Sequence, residues 1–392
     1  MTLISIHLLQ NHAPSNLNRD DNGDPKDCLF GGFRRARISS QALKRSIRWS
    51  ETFRGYFDGQ EELLALRTQL MPNEVRERIE SLGLSDEERA AVLQQAARLG
   101  TGDSRGGEAA EGEAEPAGEG RRKGAKKGAE AGAAEQRLKS AQLMFLTVHE
   151  IDQLAARMAE LVRMHGPAAF GALSSDKLIE AIGQYEPHSV DIAMFGRMTT
   201  SSPFKDIEAA VQVAHALSTH AVEQEFDFYT AVDDISGEAG AGFIGETSFN
   251  SATYYKYFSI HWENLVKNLQ GDAAVAARAV RALAHAAMVA IPSGKQNSFA
   301  AHNLPDLALI EVRRQNIPLS YANAFIKPVR ATAQQSLVEA SAAALQKYIP
   351  QINAMYGLAA DRTFLSTVPF ELAEARRAAA LDELLEWLPL NS

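Results

Sequence analysis

Residues 31–50 read GGFRRARISSQALKRSIRWS. The stretch holds Arg34, Arg35, Arg37, Lys44, Arg45 and Arg48 and no acidic residue, in a chain of formal net charge -9. Cations concentrated in one stretch of an acidic chain are a local device that calls for an anionic partner. The second half reads as a helix. Ser39 and Ser40 are candidate N-caps, whose hydroxyls accept the orphan N–H groups of a first turn. At helical spacing Gln41, Lys44, Arg45 and Arg48 share one face, and Leu43, Ser46, Ile47 and Ser50 the opposite one, fit to dock on a sheet. A helix start with its partial positive charge, two hydroxyls and a cationic stripe all suit phosphate. A solvated basic face satisfies the same pattern, so charge alone leaves both readings open.

Upstream, Thr2–Gln10 is rich in Leu and Ile and reads as a buried strand. Residues 11–32 read as a long polar loop of turn formers, with Arg19 and Lys26 among Asp20, Asp21, Asp24 and Asp27. Two readings fit it. Arg19 and Lys26 bind phosphate while the aspartates hold Asx-type turns. Alternatively, Asp20 and Asp21 join another carboxylate in a nuclease-like metal site. No His or Glu stands nearby at a ligand spacing.

Downstream, Glu61–Leu99 has helical periodicity, with Ser85 and Glu88 spaced as a capping box. Residues 101–135 are dominated by Gly, Ala, Glu and Lys and are expected to be a disordered insertion. Its RRKGAKK run fits either a nucleic-acid contact or a solvated linker. Helices are expected at Leu138–Met164 and Asp176–Gly183, a strand at Val190–Met198, and helical spacing from Ile207 to His220. Phe226–Val232 and Phe249–His261 read as hairpin strands around a Gly-rich turn. Asp272 caps a helix over Ala273–Ala290, a loop spans Ser293–His302, and Leu307–Val312 is a strand. Helices near Gln334–Tyr348 and Phe370–Trp387 close the chain. Outside the insertions the order is strand, helix, strand, strand, helix, strand, the split βαβ of an α+β, ferredoxin-like or RRM-like sheet. Such sheets often bind RNA.

The 392 residues are 45% hydrophobic and 23% charged, the profile of a soluble globular chain. Cys28 is the single cysteine, which excludes an intrachain disulfide and a cysteine-rich zinc site. No signal peptide or membrane span is read, so a cytoplasmic protein with no membrane partner is expected. Gly196-Arg197-Met198 presents a methionine beside an arginine, suited either to a core or to a wedge against a base. Phe228 and Tyr229 can stack on bases or pack the sheet. Ser293-Gly294-Lys295-Gln296 presents one cation in a small loop. GxSxG, Walker and HExxH patterns are absent, and the ten histidines have no metal spacing. No catalytic residue, metal or cofactor is expected.

The stretches PSNLNRDDNGDPKDCLFGGFRRARISSQALKRSIR, FGRMTTSSPF, VAHALSTHAV, DFYTAVDD and GKQNSFAAHN, in that order, resemble the CasC family. CasC is the repeated backbone subunit of the type I-E CRISPR surveillance complex, Cascade. The resemblance spans most of residues 1–330. It implies an RRM-like palm, an inserted helical fingers domain and a β-hairpin thumb. The palm is then 1–54, 188–221 and 246–330, the fingers 55–187, the thumb 222–245, and 331–392 are C-terminal helices on the palm. It also implies head-to-tail copies along a guide RNA (crRNA). Each thumb would kink the RNA so that one nucleotide in six is flipped out, and the remaining bases would pair with the target DNA strand. Arg19, Lys26, Ser39, Ser40, Gln41, Lys44, Arg45 and Arg48 would hold phosphates. Arg197 would contact the RNA, Met198 would wedge between bases at a kink, Tyr229 would help separate the displaced base, and Lys295 would add a backbone contact. The partners implied are CasA, CasB, CasD and CasE. A subunit presenting any guide must grip phosphates and leave base edges free. The rival reading is a metal-dependent RNA endonuclease using Asp20, Asp21 or Asp233.

Overall fold

The computed structural model describes residues 2–99, 138–140, 143–199, 203–232, 234–235 and 239–388. The expected disordered insertion and Asp233 lie outside the described residues. In chain order the elements begin with β1 (Leu3–Ser15), β2 (Asp27–Phe30), β3 (Phe33–Ile38), α1 (Ser40–Trp49), α2 (Glu51–Gly55), β4 (Ala65–Thr68), α3 (Met71–Ile79) and α4 (Asp86–Arg98). Then come β5 (Met144–Thr147), α5 (Val148–His165), α6 (Pro167–Gly171), α7 (Ser175–Ile182), α8 (Val190–Phe195), β6 (Val211–Val213), β7 (Ala216–Ser218), β8 (Glu225–Val232) and β9 (Ala239–His261). The last are α9 (Trp262–Asn268), α10 (Ala273–Val289), α11 (Gln296–Phe299), β10 (Leu307–Arg313), α12 (Leu337–Tyr356), β11 (Asp361–Ser366), β12 (Ala375–Arg377) and α13 (Leu381–Glu386). Two compact units result: residues 1–64, 188–196 and 207–392, and residues 65–187 and 197–206.

The first unit is built on β1. Its run of apolar residues is buried on both faces, so it shows no alternation. The strands β10, β1, β9 and β6 lie side by side, each pair antiparallel. Numbered along the chain, that is fourth, first, third, second, the order of a ferredoxin-like sheet, as expected. On one face Ile4, Ile6, Leu8, Phe258, Ile260 and Ile310 pack against Ile47 of α1 and Val280 and Leu283 of α10. The other face differs from an RNA-binding RRM sheet, whose open surface stacks bases. Here Leu9, Tyr255, Tyr257, Leu307 and Leu309 lie under Ala342, Leu345 and Ile349 of α12. The sheet surface is therefore occupied, and any nucleic acid must bind elsewhere.

Beneath α12 sits a buried charge network. Glu311 accepts hydrogen bonds from Arg313 at 2.8 Å, Arg362 at 2.6 Å and the Tyr321 hydroxyl at 2.9 Å, with His7 Nε2 at 3.2 Å. Burial alone would raise the Glu311 pKa, but the His7 hydrogen bond and the two guanidiniums outweigh it and hold it at about 2. Burial lowers the His7 pKa, against the raising effect of the facing Glu311 carboxylate.

Several expectations are corrected. Val190–Met198 is not a strand: Val190–Phe195 forms α8, capped by Ser189, and Val190 to Met194 are all buried. A short apolar run wrapped on all sides carries no period that separates strand from helix. Ile207–His220 is not helical, because β6 and β7 pair there with β9. The loop expected at 11–32 is shortened from both ends. β1 continues to Ser15 through an irregularity in its pairing with β9, and β2–β3 form a hairpin. The helix expected from Leu138 begins only at Val148, where Thr147 and Glu150 form a capping box, and Met144–Thr147 pairs with β4. The C-terminal region is not purely helical: β11 pairs antiparallel with β10 and parallel with β12, extending the sheet.

The second unit gathers α3, α4 and α5 around Val75, Ile79, Val92, Leu154, Met158 and Val162, and Ser85 with Glu88 forms the expected capping box. β8 and the first half of β9 form the antiparallel hairpin of the first unit, with every β8 residue exposed. Among the described residues no helix is long and apolar enough to cross a membrane.

Candidate nucleic-acid interface

The start of α1 is set by two bonds. Ser39 is extended, and its Oγ accepts the Ala42 N–H at 3.2 Å. Its own N–H donates to Asn18 Oδ1 at 2.8 Å, which fastens the helix start to the loop before it. That loop is a tight turn. Asp20 Oδ1 accepts the N–H groups of Asn22 and Asp24, both at 2.9 Å, an Asx arrangement. The Asp20 N–H donates to the Asp24 carbonyl at 2.8 Å, and the Lys26 N–H to the Asn18 carbonyl at 2.8 Å. Arg19 faces Pro25 across the turn. Asp20 and Asp21 stay exposed, and among the described residues no three of His, Cys, Asp or Glu gather where they could hold a metal ion.

A second loop closes on the first through Gly294. A Cβ there would stand 2.4 Å from the Leu17 carbonyl oxygen and 2.7 Å from that of Asn16, so only glycine allows the approach. Lys295 follows in the left-handed region with φ 47°, and its Nζ donates to Thr247 Oγ1 at 2.9 Å. Arg19, Lys26, Ser39, Ser40, Gln41 and Lys295 thus belong to one interlocked set of loops and helix start.

The face of α1 differs from the expected stripe. Gln41, Arg45 and Trp49 are its exposed residues, while Lys44 and Arg48 lie on a flank turned to α8. Lys44 Nζ sits 5.9 Å from the centre of the Phe195 ring, and burial lowers its pKa. Arg48 is paired with Asp191 at 2.8 Å, its side chain 12% exposed. Helical spacing fixed the angles; the partner Asp191 on α8, 143 residues along the chain, was not legible.

The remaining expected residues fall outside this set. Arg197, in the second unit, is buried: it pairs with Glu150 at 2.8 Å and donates to the carbonyls of Lys205 and Phe145. A guanidinium so enclosed holds its unit together and does not make the RNA contact expected of it. Met198, also in the second unit, is 86% exposed. Tyr229 is 44% exposed on the hairpin, and its ring lies over its cross-strand partner Gly245.

Sequence reasoning missed Asn18, Arg35 and His215. Arg35 is a buried support, donating to the Ser218 and Phe325 carbonyls at 3.1 and 2.7 Å. His215 Nδ1 stands 3.3 Å from both the Ser40 N–H nitrogen and Arg37 Nη1. Ala36 and Ile38 alternate along Phe33–Ile38, but Arg35 is buried on the opposite face, so no period in the sequence marked it.

The model of the CT1975-like protein family matches residues 4–387. The chain belongs to the CT1975-like family. Among solved structures, this CT1975-like chain is similar to one described as "CRISPR RNA-guided surveillance complex, pre-nicking", with 29% identity, 98% of each chain covered and a TM-score of 0.76. It shares its fold with a second, described as "CRISPR RNA-guided surveillance complex", at 24% identity, 98% coverage of each chain and a TM-score of 0.67. None of the curated proteins matches it. These findings bear out the resemblance to a Cascade backbone subunit and the α+β fold read from the motifs.

Proposed function

We propose that this CT1975-like protein is a non-catalytic guide-RNA-binding backbone subunit of a Cascade-type CRISPR surveillance complex. The carrying observation is the interlock of three phosphate-suited features: the Arg19–Lys26 turn, the Ser39-capped start of α1 and the Lys295 loop, joined through Asn18 and Gly294. Gripping a backbone there leaves base edges free for target DNA. Arg45 and Lys44 supply charge along the helix. Met198 and Tyr229, both exposed, are the candidates for kinking the guide and displacing a base. In this reading copies stack head to tail in a cytoplasmic type I-E particle with CasA, CasB, CasD and CasE. Asp20 is committed to its own turn, which favours a structural role over a nuclease metal site.

The test is co-expression with a CRISPR array, purification, and sequencing of the RNA retained. Repeat–spacer RNA is expected, and its absence overturns the proposal. Magnesium-dependent cleavage of complementary RNA that disappears in Asp20→Ala would overturn the non-catalytic part.

A further inference from the structure

Trp49 closes the exposed stripe of α1, and its ring has no place in the phosphate grip. It is 58% exposed, whereas Trp262 and Trp387 are half-buried. Gln41, Arg45 and Trp49 recur every four residues, so they line one side of the helix over about 12 Å of its axis. The guanidinium carbon of Arg54, on α2, stands 5.5 Å from the centre of the indole. An indole backed by a guanidinium and preceded by Arg45 offers a π-surface between two cations. The only charged residues of α1 are Lys44, Arg45 and Arg48, which disfavours a basic partner surface.

We propose that Trp49 is a stacking platform for an unpaired base of single-stranded RNA, in line with the helix start that grips its backbone. This rests on the guide-RNA reading above. Base–indole stacking is indifferent to sequence, because every base has a π-face. Arg54 holds the ring plane from one side and, with Arg45, neutralises the phosphates flanking the stacked nucleotide.

The experiment titrates the full chain with a mixed-sequence single-stranded RNA, followed by tryptophan emission and by anisotropy of a labelled strand at several salt concentrations. RNA is expected to quench the emission, and Trp49→Phe to abolish most of that quenching while binding nearly as tightly. Trp49→Ala is expected to weaken binding roughly 5- to 150-fold without changing the slope of log affinity against log salt. Arg45→Ala should make that slope shallower by about 0.7. Quenching that persists in Trp49→Phe, or undiminished affinity in Trp49→Ala, overturns the platform and leaves the guide-RNA reading standing. Unchanged affinity with fewer copies bound per RNA would assign the face to contact between copies and also overturns it. A wild-type chain that binds no RNA overturns both.

Discussion

Arg48 and Asp191 are fastened together: Nε and Nη2 of the guanidinium donate to Asp191 Oδ2 at 3.0 and 2.8 Å. Ser189 Oγ, at the cap of α8, donates to the other carboxylate oxygen at 2.6 Å. The pair ties the phosphate-suited helix to α8. Asp191→Ala leaves a mostly buried guanidinium without its counter-charge and is expected to destabilise the protein by about 3–5 kcal/mol in urea unfolding. The double replacement Arg48→Met with Asp191→Leu should recover most of that loss. Recovery with RNA affinity intact would assign Arg48 to the fold; a matching loss of affinity would return it to the RNA.

Gly294→Ala should displace the Lys295 loop, since its methyl would meet backbone oxygens of Asn16 and Leu17 that cannot turn aside. The expected result is weaker RNA binding with secondary structure retained by circular dichroism. Wild-type affinity would mean that the two loops act independently.

Lys256 is buried, its ammonium donating to the Gln10 amide oxygen, and burial lowers its pKa from 10.5 to about 7. Between those values the unfolded chain holds the proton more tightly than the folded one. Stability therefore rises with pH through that window and is lowest below about 7. Lys256→Met should raise the melting temperature at pH 6 and flatten this rise. An unchanged pH profile would place the dependence in another group.

Glu311 behaves with the opposite sign. Its pKa falls from 4.5 to about 2 on folding, so its contribution is complete above 4.5 and is lost as pH drops toward 2. Glu311→Gln leaves Arg313 and Arg362 facing a neutral amide and should cost about 3–5 kcal/mol. Acid unfolding monitored by tryptophan emission should shift to milder pH unless the network tolerates the loss.

The fold class was legible because α1 and α10 carry caps, while β1 and β10 are short apolar runs bounded by polar turns. Asp272 and Ser85 announce their helices in the sequence, as their side-chain bonds confirm. Val190–Phe195 was not, because a short run buried on all sides has no period to read. The site was half legible. Ser39 could be named as a cap from local chemistry, but Arg35, Arg48 and Arg197 look like surface cations in sequence. Their partners Ser218, Asp191 and Glu150 stand far along the chain, and a partner at long separation leaves no local trace.

β9 has a mechanical consequence. It runs unbroken from Ala239 to His261, so the strand that ends in the hairpin is also a central strand of the sheet. The hairpin is therefore a cantilever clamped in the core, projecting about 25 Å along β8. A tilt of a few degrees at its root would swing the tip by roughly 2 Å over that length. Substitutions far from any nucleotide, among the residues that seat β9 between β1 and β6, would then alter where the hairpin reaches.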